Sequence, residues 1–217
     1  MKKLVLVENF PKSLDHNVPF SNLSPERKIR ANMLFNEQEK ERFVIAEEIT
    51  SQIISRCFNI ENAEICGKVS EKPYIKNHEN ISFSRSYCND TLCIAVENGG
   101  RIGVDCETVK KADDGVMRYF FTANEKNYIA DSDDKDFAFS LIWTRKESYI
   151  KCLGKGLDFR FDLLDVTPKQ PLEAGQRLFF KNDKVENLHI NSYLLDHTVI
   201  SVCSEIDDNF PELILGW

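Results

Sequence analysis

The sequence predicts an α+β fold for its 217 residues. Apolar residues recur at helical spacing from about residue 24 to 57 and again from about 134 to 153. Short runs rich in β-branched and aromatic residues separate and follow these helices, with turn-forming residues between them. Each half therefore holds helices followed by a mostly antiparallel set of strands, an order typical of the α+β class. The same order in both halves is the one sign of duplication, because no sequence identity between the halves is visible.

The elements of the first half follow from local patterns. The apolar run at 4–7 predicts a first strand, since it is too short for the core of a secretion signal. Ser24 and Pro25 predict a helix start, with an N-cap followed by proline at the first helical position. "ENGG" at 97–100 predicts a hairpin turn. Strands are predicted at about 81–86, 91–97 and 101–107.

The second half contains a capping signal, a long helix and more strands. Thr122 and Glu125 in "TANE" form a capping box that opens a helix. The long helix at about 134–153 is predicted to end at Gly154 in the left-handed conformation. Strands are predicted near 159–164, 176–181, 185–190 and 197–204.

Charge and hydropathy restrict the possible partners. The net charge of −7 argues against broad nucleic-acid binding. Arg27, Lys28 and Arg30 nevertheless cluster in "SPERKIR", which suits either a small polyanion or a solvated helix face. No apolar run is long enough for a transmembrane helix, so we expect a cytoplasmic protein without a membrane partner. The seven cysteines, odd in number and without a CxxC pair, predict reduced, buried thiols.

The stretch "RIGVDCE" places two carboxylates on one face of a strand. Asp105 and Glu107 point the same way because side chains alternate along a strand. They repel each other unless a cation or proton lies between them, and Mg²⁺ prefers such oxygen ligands. Glu147 could supply a third oxygen, and Lys151, one helical turn later, could neutralise phosphate charge or handle a proton. An ordinary Glu147–Lys151 surface pair and a solvated strand face remain the alternatives.

Two motifs together resemble a known family. "IGVDCE" and "WTRKESYIKCLGKGL" resemble the signature of the 4′-phosphopantetheinyl transferases, Gly-(Ile/Val)-Asp-x-Glu followed by Trp-(Ser/Thr)-x-Lys-Glu-(Ser/Ala)-x-x-Lys. The segments "SPERKIR", "EKPYI", "ISFSRS" and "YFFTANE" resemble further motifs of that family in the same order. The length is similar to that of its two-lobed, surfactin-synthetase-activating type.

The resemblance implies a fold and an activity. The fold would be two similar α+β lobes, 1–100 and 101–217, related by pseudo-twofold symmetry with the ligand in the cleft between them. The activity would be Mg²⁺-dependent transfer of 4′-phosphopantetheine from coenzyme A to a serine of an acyl or peptidyl carrier protein. The leaving group would be 3′,5′-ADP. A monomer that binds no nucleic acid is expected.

The resemblance also implies roles for individual residues. Asp105, Glu107 and Glu147 would bind Mg²⁺, with Glu147 and Lys151 as the candidate catalytic residues. Coenzyme A would be contacted by Arg27, Arg30, Arg42, Lys72, Ser84, Arg85, Lys146 and Lys151. Two positions depart from the family, because Arg85 stands in place of a histidine and Glu71 in place of a glycine.

The segment "DDGVMRYFFTANE" is the candidate docking site for the carrier protein. Val116, Met117, Tyr119 and Phe120 would supply apolar contacts, and Arg118 could meet an acidic carrier helix. Of these, Met117 and Arg118 are expected to be exposed, whereas Phe120 and Phe121 are expected in the core.

Two other functions fit parts of the pattern. A magnesium nuclease also combines carboxylates with a lysine, but the four-residue step from Glu147 to Lys151 and the net charge of −7 disfavour a DNA substrate. A non-enzymatic interaction domain is disfavoured because all three candidate metal ligands are present.

Overall fold

The computed structural model describes residues 2–8, 10, 20–155, 160–169, 179–206 and 212–215, and it confirms the α+β class. The strands are β1 (Lys2–Val7), β2 (Ile65–Cys66), β3 (Tyr74–Ile75), β4 (Ile81–Cys88), β5 (Thr91–Asn98), β6 (Ile102–Thr108), β7 (Phe179–Val185), β8 (Leu188–Leu195), β9 (Thr198–Ser204) and β10 (Glu212–Leu215). The helices are α1 (Pro25–Asn32), α2 (Glu37–Phe58), α3 (Asp114–Phe120), α4 (Ala123–Asp131) and α5 (Lys135–Leu153), with 3₁₀ turns at Phe20–Asn22 and Phe161–Leu163.

The strands form two four-stranded sheets and one small ribbon. The first sheet has the order β10-β1-β5-β4, the second has the order β6-β9-β8-β7, and β2 pairs with β3. The two large sheets share a pairing pattern. In the first, β1 pairs antiparallel with β5, and β5 pairs with β4. In the second, β6 pairs antiparallel with β9, and β9 pairs with β8. β10 pairs parallel with β1 and so returns the chain to the first sheet. The repeated topology is compatible with two related lobes, but the pseudo-twofold symmetry and the division at residue 100 stay predictions.

Each sheet packs against a long helix, and the sheets also share a core. Ile53 and Ile54 of α2 pack on the first sheet, and α5 packs on the second. A third apolar cluster joins β1 and β5 of the first sheet to β6 and β9 of the second. In the part of the chain that the structure describes, no helix has both the length and the apolar character needed to cross a membrane.

The predicted hairpin at "ENGG" is wrong. β5 and β6 lie in different sheets, so this segment connects the sheets and does not turn one strand back on its neighbour. The hairpin is instead formed by β4 and β5, with Asn89 in its turn at a φ of 48°. Asparagine tolerates this left-handed backbone better than most residues.

The helical region at 24–57 consists of two helices and not one. α1 begins after Ser24 with Pro25 in its first turn, as predicted, but the Ser24 hydroxyl donates to the Ile65 carbonyl oxygen at 2.8 Å and does not cap the helix. α2 begins after Asn36, whose side-chain oxygen accepts from the backbone N–H groups of Gln38 and Glu39.

In the second half, the capping signals are confirmed and the strand predictions are partly wrong. Thr122 and Glu125 form the capping box, and Gly154 ends α5 with a φ of 68°. The predicted strand at 159–164 is a 3₁₀ turn where it is described. The predictions at 176–181 and 185–190 are displaced from β7 and β8, with 176–178 lying outside the described residues. The strand predicted at 197–204 is β9.

Gly103 lets α5 lie directly against β6. A Cβ atom at this position would lie 2.1 Å from the Ser148 carbonyl oxygen and 2.4 Å from the Cys152 backbone nitrogen. Both atoms belong to the helix backbone, which cannot move aside as a flexible side chain would. The glycine therefore sets the distance between the helix and the strand that carry the candidate site residues.

We predict that Gly103→Ala destabilises the protein by about 3 kcal/mol, because overpacked cores typically lose 1–3 kcal/mol and sometimes more. Urea unfolding measures this change. Gly115→Ala, at an exposed position of α3, is the matched control and should raise the free energy of unfolding by about 1 kcal/mol or less, because alanine is the better helix former. A Gly103→Ala protein as stable as the wild type would contradict the close contact.

Candidate active site

A cavity of about 550 Å³ opens between the two halves of the chain. It lies where β4, the edge strand of the first sheet, approaches the C-terminal end of α5. Its lining consists of Arg27, Arg30, Phe43, Val69, Ser70, Glu71, Lys72, Pro73, Phe83, Ser84, Arg85, Ser86, Tyr87, Lys151, Gly154 and Lys155. Six of the eight residues predicted to contact coenzyme A are therefore at one cavity.

Two side-chain hydrogen bonds join β4 to β6 beside this cavity. The Ser84 hydroxyl accepts from the Val104 backbone N–H at 3.0 Å. The Ser86 hydroxyl donates to Asp105 Oδ1 at 2.8 Å. Ser86 was not singled out in the sequence, although the i, i+2 spacing from Ser84 places both hydroxyls on the same face of β4.

Asp105 is the most buried of the predicted metal ligands, with 5% of its surface exposed. Its Oδ1 accepts from the Lys151 ammonium at 2.7 Å as well as from Ser86. Its Oδ2 is buried, and no hydrogen-bond partner for it is found among the described residues. Because an unpaired buried oxygen is costly, this atom is suited to receive a ligand that the polypeptide does not supply.

Glu107 and Glu147 are more accessible than Asp105. Glu107 pairs with the Lys110 ammonium at 3.1 Å. Burial raises the pKa of Glu147, and the charges of Asp105 and Glu107 raise it further, while Lys151 opposes the shift. Glu147 thus lies close enough to Asp105 and Glu107 to be repelled by both carboxylates.

The predicted metal ligands fit magnesium in chemistry but are not assembled around a common point. Within the described ranges, no three Asp, Glu, His or Cys side chains converge closely enough to hold a metal ion. The donor set is nevertheless all oxygen, which Mg²⁺ prefers, and Asp105 Oδ2 is free to bind. Glu107 and Glu147, the other two predicted oxygen ligands, are both partly exposed.

Lys151 is held between the two sheets. Its ammonium lies 2.7 Å from Asp105 Oδ1 and 3.2 Å from the Ser86 hydroxyl, and about a third of the side chain (32%) is exposed. Burial lowers the pKa of Lys151, but the Asp105 carboxylate more than offsets that effect and leaves the pKa above its usual value. In this arrangement Lys151 is a cation and a hydrogen-bond donor.

Two arginines share one buried carboxylate in the wall of the cavity. Arg27 donates to Glu47 Oε1 through Nε at 2.9 Å and Nη2 at 2.5 Å, and Arg85 Nη2 donates to the same oxygen. Burial raises the pKa of Glu47, but Arg85 and Arg27 outweigh it and hold the pKa below its usual value. The sequence analysis missed Glu47, although a carboxylate four residues after Phe43, on the same helix face, was a usable signal.

Lys72 lines the cavity, but its ammonium binds the protein backbone. It donates to the carbonyl oxygens of Ile102 at 2.5 Å and Cys152 at 3.4 Å. Burial lowers the pKa of Lys72. The side chain thus fastens the loop before β3 to both β6 and α5.

Lys146 does not line the cavity in this structure, so its contact with coenzyme A stays a prediction. Its side chain is fully buried, and its ammonium lies 2.9 Å from the Glu125 carboxylate and 2.7 Å from the Phe161 carbonyl oxygen. The Leu164 carbonyl oxygen is a third partner. Lys146 therefore ties α5 to α4 and to the 3₁₀ turn, on the side away from the cavity.

Arg42 also does not line the cavity. Its Nη2 donates to the Asn89 carbonyl oxygen at 2.5 Å, and its guanidinium carbon lies 4.7 Å from the centre of the Tyr87 ring. These contacts hold the side chain behind Tyr87, which itself reaches the cavity. Arg42 supports the cavity wall and is not part of its surface.

The candidate docking segment is exposed in part. Tyr119 is 70% exposed, whereas Phe121 is in the core at 2%. Met117 and Arg118 line a groove of about 490 Å³, separate from the main cavity. The other residues of this groove are Ala112, Asp114, Lys126, Ile129, Ala130 and Lys135.

Comparisons with known proteins show which family the chain resembles. A model of the 4′-phosphopantetheinyl transferase superfamily matches residues 101–203, which contain all three candidate metal ligands and Lys151. The chain is 27% identical to 4′-phosphopantetheinyl transferase Sfp of Bacillus subtilis, over 93% of this chain and 91% of the relative. It is 25% identical to 4′-phosphopantetheinyl transferase gsp of Aneurinibacillus migulanus, over 86% and 78%. The chain is therefore similar to the 4′-phosphopantetheinyl transferases over most of its length, as the sequence motifs predict.

Proposed function

We propose that the protein transfers 4′-phosphopantetheine from coenzyme A to a serine of an acyl or peptidyl carrier protein. The observation that carries this proposal is the junction of Lys151, Asp105 and Ser86 at a cation-lined cavity to which both halves contribute. In the reaction, the serine oxygen bonds to the phosphorus on the pantetheine side of the pyrophosphate. The bond from that phosphorus to the bridging oxygen breaks, and 3′,5′-ADP leaves.

The cavity wall supplies the groups that would bind the phosphates of coenzyme A. Arg27, Arg30 and Arg85 present guanidinium groups, and hydrogen bonds from such cations to phosphate are shorter and stronger than neutral ones. Arginine can also grip phosphate through two parallel N–H groups, which a histidine at position 85 could not do. The arginine at this position is thus compatible with phosphate binding.

Residues of the second half would act on the reacting groups. Lys151, held as a cation by Asp105 and Ser86, would place positive charge next to the pyrophosphate as the leaving group forms. Glu147, acting through a bound water, and Lys151 are the two candidates to assist removal of the serine proton. Asp105, Glu107 and Glu147 would hold a magnesium ion, which would neutralise charge on the pyrophosphate oxygens.

The proposal includes several statements about the whole protein. We propose that activity requires Mg²⁺ and that the two lobes divide near residue 100. We also propose that the protein works as a cytoplasmic monomer without a nucleic-acid or membrane partner. The acidic net charge of −7 is the support for excluding nucleic acid.

Incubation with coenzyme A, Mg²⁺ and a panel of apo carrier proteins tests the proposed function. Intact-protein mass spectrometry should show the gain of one phosphopantetheine on at least one carrier. A carrier with its target serine changed to alanine is the control and should gain nothing. Absence of transfer to every acyl and peptidyl carrier in a broad panel would contradict the proposal.

We predict that Asp105→Asn lowers transfer at least about 100-fold, because loss of one preorganised charge contact in an active site commonly has an effect of that size. The substitution keeps the shape of the side chain but removes the charge that orients Lys151. Initial rates of carrier modification measure it, and EDTA should similarly inactivate the wild type until Mg²⁺ is restored. Asp131→Asn, on the exposed face of α4, is the control. An Asp105→Asn enzyme with a third of wild-type activity would contradict the assignment.

We predict that Met117→Glu raises the KM for the carrier protein about fivefold or more, which is about 1 kcal/mol of lost binding. Arg118, Lys126 and Lys135 outnumber Asp114 in this groove, which makes it basic. A carrier helix is expected to be acidic, so a new carboxylate should repel it. The KM for coenzyme A should not change.

Phe35→Glu, at a fully exposed apolar position between α1 and α2, is the control for the added charge. Kinetics with two unrelated carriers measure both variants. An unchanged carrier KM for Met117→Glu with both carriers would remove α3 from the interface.

A further inference from the structure

One face of α2 organises the two arginines of the cavity. Phe43, Glu47 and Thr50 are spaced four and three residues apart, so they lie on the same side of the helix. Each of them contacts Arg27, Arg85 or both. Phe43 and the two arginines line the cavity, whereas Glu47 lies behind them with 2% of its surface exposed.

The contacts restrain both guanidinium groups in two ways. The guanidinium carbons of Arg27 and Arg85 lie 5.0 Å and 5.4 Å from the centre of the Phe43 ring. Cations at this distance from an aromatic face are attracted to it. Both guanidinium groups also donate to Glu47 Oε1, and Arg85 Nη1 donates to the Thr50 hydroxyl at 3.3 Å. The two arginines come from α1 and β4, and α2 brings them together.

All contacts from the arginines to Glu47 converge on a single oxygen. Oε2 is buried and has no hydrogen-bond partner among the residues that the structure describes. Since an arginine carries five N–H donors, each guanidinium keeps donors for a ligand. The carboxylate thus fixes the arginines without using up their binding capacity.

The charges at this wall suit a phosphate monoester. Arg27, Arg30 and Arg85 line the cavity, and Glu47 offsets one of their three positive charges. The two that remain match a phosphate monoester, which carries about −1.5 to −2 at pH 7. Glu71 also lines the cavity, but it is exposed and lies 3.7 Å from the Lys68 ammonium.

We propose that Glu47, together with Phe43, is a positioning residue that holds Arg27 and Arg85 as a cradle for the terminal phosphate monoester of the substrate. Neither residue needs to form a hydrogen bond with the phosphate. The inference rests on the proposed function, because coenzyme A carries such a monoester on its ribose.

Two physical effects make opposite predictions for Glu47. If the carboxylate acted only through its field, its removal would strengthen the binding of a nearby anion. If it acts by positioning, its removal frees the side chains of Arg27 and Arg85. Ligand binding must then order both side chains, and this entropy cost lowers the affinity. Only the phosphate monoester of the ligand would contact these arginines, so a ligand without it should bind both proteins alike.

Binding of coenzyme A and of 3′-dephospho-coenzyme A, measured by calorimetry, distinguishes these effects. Glu47→Gln should weaken coenzyme A about tenfold, in line with the loss of a preorganised charged contact, and leave 3′-dephospho-coenzyme A within about twofold. In kinetics the KM for coenzyme A should rise while kcat changes little. Glu48→Gln is the matched control, because it removes the same charge from a neighbouring residue that pairs with Gln52 outside the cavity wall. It should bind both ligands as the wild type does.

Phe43→Leu provides a second variant if the loss of a buried charge unfolds Glu47→Gln. It keeps the ion pairs but removes the ring from both guanidinium groups, and should weaken coenzyme A about fivefold, an amount typical of two weak cation–π contacts, without affecting 3′-dephospho-coenzyme A. Its unfolding temperature confirms that the variant is folded at the assay temperature.

Three results would overturn the inference. Unchanged or tighter binding of coenzyme A by Glu47→Gln would show that the carboxylate acts through its field alone. Equal weakening of both ligands would show a purely structural role. Equal affinity of the wild type for both ligands would show that the arginines do not bind the monoester. Failure of the proposed function would be recognised separately, because the carrier-modification assay measures the transferase activity without reference to Glu47.

Discussion

The contact between β6 and α5 at Gly103 is the constraint on which the candidate site depends. Without a side chain at this position, the helix backbone lies against the strand, as the 2.1 Å approach of a hypothetical Cβ to Ser148 shows. Lys151 and Asp105, 46 residues apart in the chain, consequently meet at 2.7 Å. β6 is in turn fastened to β4 through the Ser84 hydroxyl, so the strand with two of the proposed metal ligands lies beside the strand that carries Arg85. A small residue in the motif is thus as much a part of the site as its charged residues.

Cations meet carboxylates in two different ways at the cavity. Lys151 is partly exposed and forms an ion pair with Asp105 Oδ1, while Asp105 Oδ2 has no hydrogen-bond partner among the described residues. Arg27 and Arg85 are held on Glu47, which is buried behind them. The first arrangement places charge where the reacting phosphate would lie, and the second fixes charge where a remote phosphate would bind. Binding energy from remote groups is well suited to orient a substrate whose reaction takes place elsewhere.

Local signals in the sequence predicted the elements that they directly encode. The capping box at Thr122, the left-handed Gly154 and the strand around Asp105 are confirmed because each depends on a few neighbouring residues. The "ENGG" turn failed because glycines permit a change of direction but do not decide which strands pair afterwards. β6 pairs with β9, almost a hundred residues later, because its apolar side chains join the core shared by both sheets.

Side-chain direction explains why Lys146 does not line the cavity and why Glu47 was missed. Lys146 and Glu147 are adjacent, so they point about 100° apart on a helix, and only Glu147 shares a face with Lys151. Lys146 therefore points into the core, where Glu125 neutralises it. Glu47 was missed for the related reason that a carboxylate in an apolar helix face has no partner visible in the sequence. Its partners come from α1 and β4, which only the tertiary fold brings together.

Hydrogen–deuterium exchange with and without coenzyme A and Mg²⁺ tests most directly whether the two halves form one substrate site. The ligands should slow exchange in two segments that line the cavity. These are residues 69–73, from the first half, and residues 151–155, at the end of α5. Protection confined to one half, or found at the groove beside α3 and not at this cavity, would contradict a site shared between the halves.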